Sequence, residues 1–291
     1  MTLPSTQNQN CEPKYICPLC HKALKLFEKT FKCENNHSFD KAKQGYVNLL
    51  PVQHKHSKAP GDNKAMVEAR RAFLDKGFYQ PLVDKMCEWH KKYDITGSNL
   101  LDAGCGEGFY THQHKISVGS EQNANTVYGV DIAKEAIKIA AKRYKNCHFS
   151  VGTLSKLSFE NNFFSWITSV YAPILEEEFT RVLKDNGYLL TVTPAENHLF
   201  ELKSLIYTQA NTHDTSNPAI KNLSLVEEQR LTYPMLFEQS EDALSLLAMT
   251  PFAFKASEDV LETIKKTDNF SCQADFILRL YQKRVHKHTN N

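Results

Sequence analysis

The order of apolar and polar positions divides the chain into three zones. From Tyr15 to about Asn48 apolar residues keep no steady period, so a packed core is not expected to hold this stretch by itself. From about Pro51 to Gly97, Ala65, Ala69, Ala72 and Phe73 recur at helical spacing, and Leu82, Val83, Met86 and Trp89 do so again. From Asn99 nearly to the end, short apolar runs alternate with amphipathic stretches. NLLDAG, TVYGVDI, CHFSVG, FFSWITSV and YLLTVTP read as strands, and ADFILRLYQKR as a last one. AKEAIKIAAKRY reads as a helix, as does LEEEFTRVLKDNG, opened by acidic residues and closed by a glycine. TQANTHDTSNPAIKN reads as a polar loop. Strands alternating with helices predict an α/β fold on a doubly wound parallel sheet.

The 291 residues suffice for one large α/β domain and a small module. We place a small module at 11–50, a basic helical linker at 51–97 and a cofactor domain at 98–285. No apolar run approaches the ~20 residues of a membrane helix, so no membrane partner is expected. The polar opening MTLPSTQNQN lacks the apolar core of an export signal, which makes the cytoplasm the expected compartment. Eight cysteines in such a chain favour metal ligation and free thiols over disulfides. The net charge of +2 hides an asymmetry: Cys11 to Gln80 holds thirteen Lys/Arg against seven Asp/Glu. That excess points toward a polyanion, although a solvated lysine-rich surface explains the charge equally well.

CPLCHKALKLFEKTFKCENNH sets Cys17 and Cys20 two residues apart, then Cys33 and His37 after a gap long enough for a hairpin. Two such pairs supply four soft ligands in a tetrahedron, the arrangement Zn2+ prefers. Spacing favours His37 over His21 as fourth ligand. With every position filled by protein, the site is expected to be structural and closed, and the module to fold through its metal. Cys11, Cys87, Cys105, Cys147 and Cys272 show no such pattern.

LDAGCGEGFYT follows a buried strand and precedes a helix, with Asp102, Gly104, Gly106 and Gly108 at alternate positions. The spacing differs from the G-x-G-x-x-G turn that cradles a pyrophosphate. Glu107 would repel a pyrophosphate and suits a cation such as the sulfonium or amino group of S-adenosylmethionine. Asp131, ending the next strand, can accept two ribose hydroxyls or cap the following helix. It serves adenosylmethionine and NAD alike.

Beyond these features, the chain resembles the bacterial methyltransferases that modify N1 of a guanine in 23S (large-subunit) ribosomal RNA. The resemblance is carried by CPLCHKAL, FDKAKQGYVNLLPVQHKHSKAPGDN, ARRAFLDKGFYQPL, LDAGCGEGFYTH, AIKIAAKRY, YAP, HLFELKSLIY and MTPFAF, from Cys17 to about Gln282. It implies a class I Rossmann-like methyltransferase sheet behind a zinc-binding RNA-recognition module, with S-adenosylmethionine as cofactor and a structural Zn2+. It implies a target guanosine in an RNA hairpin loop, and a homodimer offering two modules to one RNA. The family's zinc ligands fall on Cys17, Cys20, Cys33 and His37, and its cofactor contacts on Tyr79, Gly106, Glu107 and the His198–Leu199 region. Two stretches depart from the family pattern: GTLSKLSF after the strand CHFSV, and DNG where a Pro-Gly is usual.

Guanine N1 carries a proton at neutral pH, so the chemistry needs a base or a stabiliser of charge on O6. SVYAP lacks the leading amide or acid of amino-group methyltransferases, which argues against an exocyclic amine as acceptor. Tyr171 is open to stacking on a flipped guanine or to core packing, and His198 to acting as a base or simply touching the cofactor. His54, Lys55, His56 and Lys58, with Arg70 and Arg71, form the densest basic region and suit RNA phosphates. Two other functions fit parts of the pattern: a small-molecule methyltransferase with an appended zinc module, and a non-catalytic RNA-binding protein. An NAD oxidoreductase fits least, given the turn spacing and Glu107.

Overall fold

The structure, a computed structural model, describes residues 12–52, 63–95, 98–119, 125–217, 219–267 and 269–284. Strands β1 (Tyr15–Ile16), β2 (Ala23–Phe27), β3 (Thr30–Lys32) and β4 (Ser38–Asp40) form a small antiparallel sheet. The chain then enters β5 (Val47–Asn48), which pairs in parallel with β8 (His148–Val151) at the edge of the main sheet. The other strands of that sheet are β6 (Asn99–Ala103), β7 (Thr126–Asp131), β9 (Phe164–Val170), β10 (Leu183–Pro194), β11 (Leu223–Phe237) and β12 (Phe270–Lys283). Their order is β11-β12-β10-β9-β6-β7-β8-β5.

The sheet is mixed, not parallel throughout: β12 runs antiparallel to both β10 and β11. Sequence periodicity missed β11 because its residues alternate between half-buried and exposed, with Glu227, Gln229 and Arg230 among them. It is an edge strand, which is where Pro234 can sit without breaking a central ladder.

The helices are α1 (Lys64–Asp75), α2 (Gln80–Lys92), α3 (Phe109–Val118), α4 (Lys134–Arg143), α5 (Glu176–Val182), α6 (Phe200–Ile206), α7 (Ser240–Ala248) and α8 (Glu258–Lys266). Helix α2 buries Leu82, Val83, Met86 and Trp89, as its spacing implies. In α1 the buried face is Val67, Phe73 and Leu74, whereas Ala65 and Ala72 are exposed, because α1 packs chiefly on α7 and α4. Helix α5 ends earlier than LEEEFTRVLKDNG suggests. Leu183 is fully buried and starts β10, and its carbonyl accepts from Lys283 Nζ at 2.7 Å. Asp185 to Gly187 then form an irregular entry to the strand rather than a last helical turn.

The zinc-module segment is fastened to the main sheet by a shared core. Tyr15 lies 5.5 Å from Phe31 within the module, and 5.9 Å from Tyr128 and 5.4 Å from Phe159 outside it, between ring centroids. Ile16 N donates to Ser158 O at 2.9 Å, and Lys14 N to Tyr128 Oη at 3.2 Å. Such aromatic contacts contribute beyond the area they bury. Among the described residues no helix is long and apolar enough to cross a membrane.

Phe159 touches both parts of this core and is 1% exposed. Phe159→Ala is therefore expected to lower unfolding free energy by about 3–5 kcal/mol, read from the denaturation midpoint. A loss below about 1 kcal/mol would show that the two parts do not stabilise each other there.

Candidate functional site: a cavity at the crest of the sheet

The glycine turn leaves β6 with three residues in the left-handed region: Gly104 at φ +78°, Gly106 at +53° and Gly108 at +86°. Two of them are also packing requirements. A Cβ on Gly104 would stand 2.5 Å from Ala172 Cβ, and one on Gly108 would stand 2.8 Å from Ala140 Cβ. Gly108 thereby lets the start of α3 close on α4. Gly106 is uncrowded, and its backbone is the part offered to a ligand.

Asp131 is tied to this turn. Its Oδ2 accepts from Gly106 N at 2.8 Å, and its Oδ1 accepts from Ala133 N at 2.7 Å. The carboxylate therefore fixes the turn and also serves the start of α4. Asp102 lies beneath, 1% exposed, accepting from Thr111 Oγ1 at 2.6 Å. Burial pushes its pKa up to about 7. It braces α3 against β6 and does not line the cavity.

Glu107 is the unusual group. It is 2% exposed, neither carboxylate oxygen has a hydrogen-bond partner, and Arg143 Nη1 stands 3.8 Å away. Burial raises its pKa to about 7 against the pull of Arg143. A buried carboxylate without donors is costly to keep. It fits a ligand bearing a cationic, hydrogen-bonding group such as the amino group of S-adenosylmethionine.

Across the cavity, His198 is buried and held at both ring nitrogens. Its Nδ1 accepts from Asp275 N at 3.1 Å, while its Nε2 lies 3.0 Å from Tyr171 Oη and 3.5 Å from Tyr79 Oη. Burial, with His213 and Lys203 nearby, lowers its pKa to about 3. The ring is neutral with its proton on Nε2, so no lone pair is available to take a proton from a substrate. His198 is not a general base. Leu199 follows it in a left-handed conformation at φ +55°, opening α6.

Sequence reading missed what holds this loop. Asp275 accepts from Arg230 Nε and Nη2 at 2.8 and 2.7 Å, from Thr232 Oγ1 at 2.7 Å and from Asn197 N at 3.2 Å. Arg230 and Thr232 share one face of β11, so the only sequence signal was an i, i+2 polar pair in a strand that was itself missed.

Tyr79, Gly104, Gly106, Glu107, Asp131, His198 and Leu199 all line one cavity of about 740 Å3, together with Tyr171. Met66, Arg70 and Leu74 of α1 contribute a wall. Arg70 Nη2 donates to Met249 O at 3.2 Å, and Arg71 lies 3.7 Å from Asp75, so both arginines have internal work besides any RNA contact. His54, Lys55, His56, Lys58 and Cys11 lie outside the described residues.

In the N-terminal sheet, Cys17, Cys20, Cys33 and His37 bring their ligand atoms within 4.8 Å of one another. Cys17 Sγ and Cys33 Sγ stand 3.4 and 3.5 Å from His37 Nδ1, and Cys20 Sγ stands 3.6 Å from Cys33 Sγ. Those edges match a tetrahedron around Zn2+, for which Zn–S of ~2.3 Å and Zn–N of ~2.0 Å imply edges of roughly 3.5–3.8 Å. Asn36 takes φ +62°, making the tight turn before His37, while His21 is exposed and outside the cluster.

Fold and cavity define a methyltransferase-type α/β domain carrying a zinc ribbon. Residues 95–248 match the family described as a methyltransferase domain, and residues 15–58 match the zinc ribbon described as RlmA, N-terminal. The YxjB protein of Bacillus subtilis, assigned to 23S rRNA guanine-N1 methylation, is 29% identical over 90% of this chain and 94% of its own. A 23S rRNA (guanine(748)-N(1))-methyltransferase of Streptomyces fradiae is 33% identical over 64% of this chain and 65% of its own. A Micromonospora griseorubida protein assigned to 23S rRNA guanine-N1 methylation is 31% identical over 65% and 68%. The chain belongs to the 23S rRNA (guanine-N1)-methyltransferase family.

Glu107 keeps its proton to about pH 7 in the folded chain, against an ordinary 4.5. As pH rises through that window the unfolded chain ionises first, so this residue erodes stability between about pH 4.5 and 7. Glu107→Gln removes the erosion. Without cofactor, the variant should gain up to about 2–3 kcal/mol at pH 8 and little at pH 4, by denaturant titration. It should also bind S-adenosylmethionine more weakly. A variant less stable than wild type at pH 8 contradicts this account of Glu107.

Proposed function

We propose that the protein transfers the methyl group of S-adenosylmethionine to N1 of a guanine in a hairpin loop of 23S ribosomal RNA. The observation that carries this reading is the joining of an RlmA-type zinc ribbon to the cavity-bearing sheet through the β5–β8 pairing and the Tyr15–Phe159 contact. Bound in the cavity, S-adenosylmethionine supplies an electrophilic methyl group on a sulfonium.

The residues of the chain do the holding. The backbones of Gly104 and Gly106 allow close approach of the ligand, and Glu107 takes its cationic end. Asp131, already anchored by two amides, accepts from the ribose hydroxyls. Tyr79, His198 and Leu199 wall the cavity on the opposite side. Holding donor and acceptor in line is itself a large part of catalysing a displacement.

Cys17, Cys20, Cys33 and His37 hold a structural Zn2+, and the ribbon positions the RNA. The local excess of Lys and Arg ahead of the catalytic sheet supplies phosphate contacts. A hairpin target, a homodimer presenting two ribbons, and action in the cytoplasm belong to the same proposal. So do the boundaries 11–50, 51–97 and 98–285.

Purified protein, incubated with 23S rRNA and methyl-labelled S-adenosylmethionine, is expected to place label on N1 of a guanine, mapped as a reverse-transcription stop. No label in RNA from protein that still binds S-adenosylmethionine would sink the proposal. Cys33→Ser is expected to cost the bound zinc and rRNA methylation together, with zinc measured by mass spectrometry. Full methylation by zinc-free protein would contradict the role given to the ribbon.

A further inference from the structure

The acceptor side of the cavity contains a hydroxyl whose direction is set by a neighbour. Tyr171 stands at the carboxyl end of β9, with φ +57°, a left-handed conformation that is costly for an aromatic residue. The turn is pinned: Tyr171 N donates to Val192 O at 3.0 Å, and Ser169 Oγ donates to Ala172 O at 3.1 Å. The ring nevertheless remains 46% exposed and lines the cavity. Strain held in place around a half-open tyrosine is not what core packing requires.

His198 decides where the phenol proton goes. Its Nδ1 is occupied in accepting from Asp275 N, so its single proton sits on Nε2 and is donated to Tyr171 Oη at 3.0 Å. Because the phenol oxygen accepts there, its own O–H turns away from His198. Among the described residues no acceptor meets it, and the side chain lines the cavity. Asp275 is in turn fixed by Arg230 and Thr232, so the whole arrangement rests on the β11–β12 pair.

From this geometry we propose that Tyr171 is a catalytic residue that donates a hydrogen bond to O6 of the target guanine. His198 is the positioning residue that aims it. The proposal rests on the guanine-N1 reading above. When N1 gives up its proton, negative charge spreads onto O6, and a fixed donor there stabilises that charge. The exocyclic amine on the other side of N1 is itself a donor and cannot accept from a phenol in the same way. In the transfer, the N1–methyl bond forms as the sulfur–methyl bond breaks with its electron pair passing to sulfur, and the N1 proton goes to solvent water. Tyr171 keeps its proton throughout. Despite the ring's exposure, burial of the phenol against the cavity wall, then Tyr79 and Tyr110 nearby, push its pKa well above the ordinary value.

The test is single-turnover methylation of 23S rRNA across pH, with S-adenosylmethionine binding measured in parallel to confirm folding. Tyr171→Phe is expected to lower the rate on the order of 100-fold at neutral pH, as loss of one charge-stabilising donor does elsewhere. The deficit should shrink as pH rises, because N1 then ionises without help. A deficit that is absent, or constant with pH, overturns the assignment. His198→Ala should lose as much, the double variant should be no worse than Tyr171→Phe, and His198→Gln, which keeps an N–H donor, should recover part of the rate. Losses that simply multiply overturn the positioning role. If wild-type protein places the methyl elsewhere than N1, the guanine-N1 reading fails. If it methylates N1 while Tyr171→Phe is unimpaired, only the role of Tyr171 fails.

Discussion

Two turns meet at the crest of the sheet through a point that only glycine can occupy. Gly104 opens the turn after β6, and Ala172 sits in the turn after β9; a side chain on Gly104 would put two β-carbons 2.5 Å apart. One turn carries the glycine backbone and the Glu107 carboxylate that line the cavity. The other carries Tyr171. Their contact sets how closely the glycine turn packs on the turn that bears Tyr171.

From that contact, support spreads in two directions. Toward the donor, Asp131 binds the amides of Gly106 and Ala133, joining turn, strand and helix. Toward the acceptor, the Arg230–Asp275–Thr232 cluster fixes the loop that bears His198. The antiparallel β11–β12 pair is thus part of the site's support although it contributes no cavity-lining residue of its own. The zinc ribbon joins the same body through Tyr15, Tyr128 and Phe159, and Tyr128 lies on the strand that ends in Asp131. The ribbon and the cavity-bearing sheet therefore share one core.

Local chemistry was legible in the sequence. The Cys/His spacing, the glycine turn and Asp131 announce themselves because each function needs particular residue types within a few positions. The parallel strands β6 to β10 were legible too, being short apolar runs bounded by turn residues, whereas the two-residue β5 was not. What escaped depends on pairing between distant segments. β11 reads as polar because one of its faces meets solvent, and Asp275 reads as an ordinary strand residue until Arg230 is brought opposite. The role of His198 also sharpened: sequence left a base and a plain cofactor contact both open, and the amide of Asp275 assigns its tautomer and makes it a donor. Glu107 kept its place, yet its burial without a hydrogen-bond partner is visible only in three dimensions.

The close contact at Gly104 makes the claim of a methyl-donor cavity directly measurable. Calorimetric titration of S-adenosylmethionine into wild-type protein and Gly104→Ala, both verified as folded by circular dichroism and zinc content, isolates it. A misplaced methyl in a packed contact costs about 1–3 kcal/mol, so the variant should bind roughly 5- to 150-fold more weakly, while wild type binds one ligand per chain. Equal affinity in the two proteins would contradict the placement of the donor against this turn.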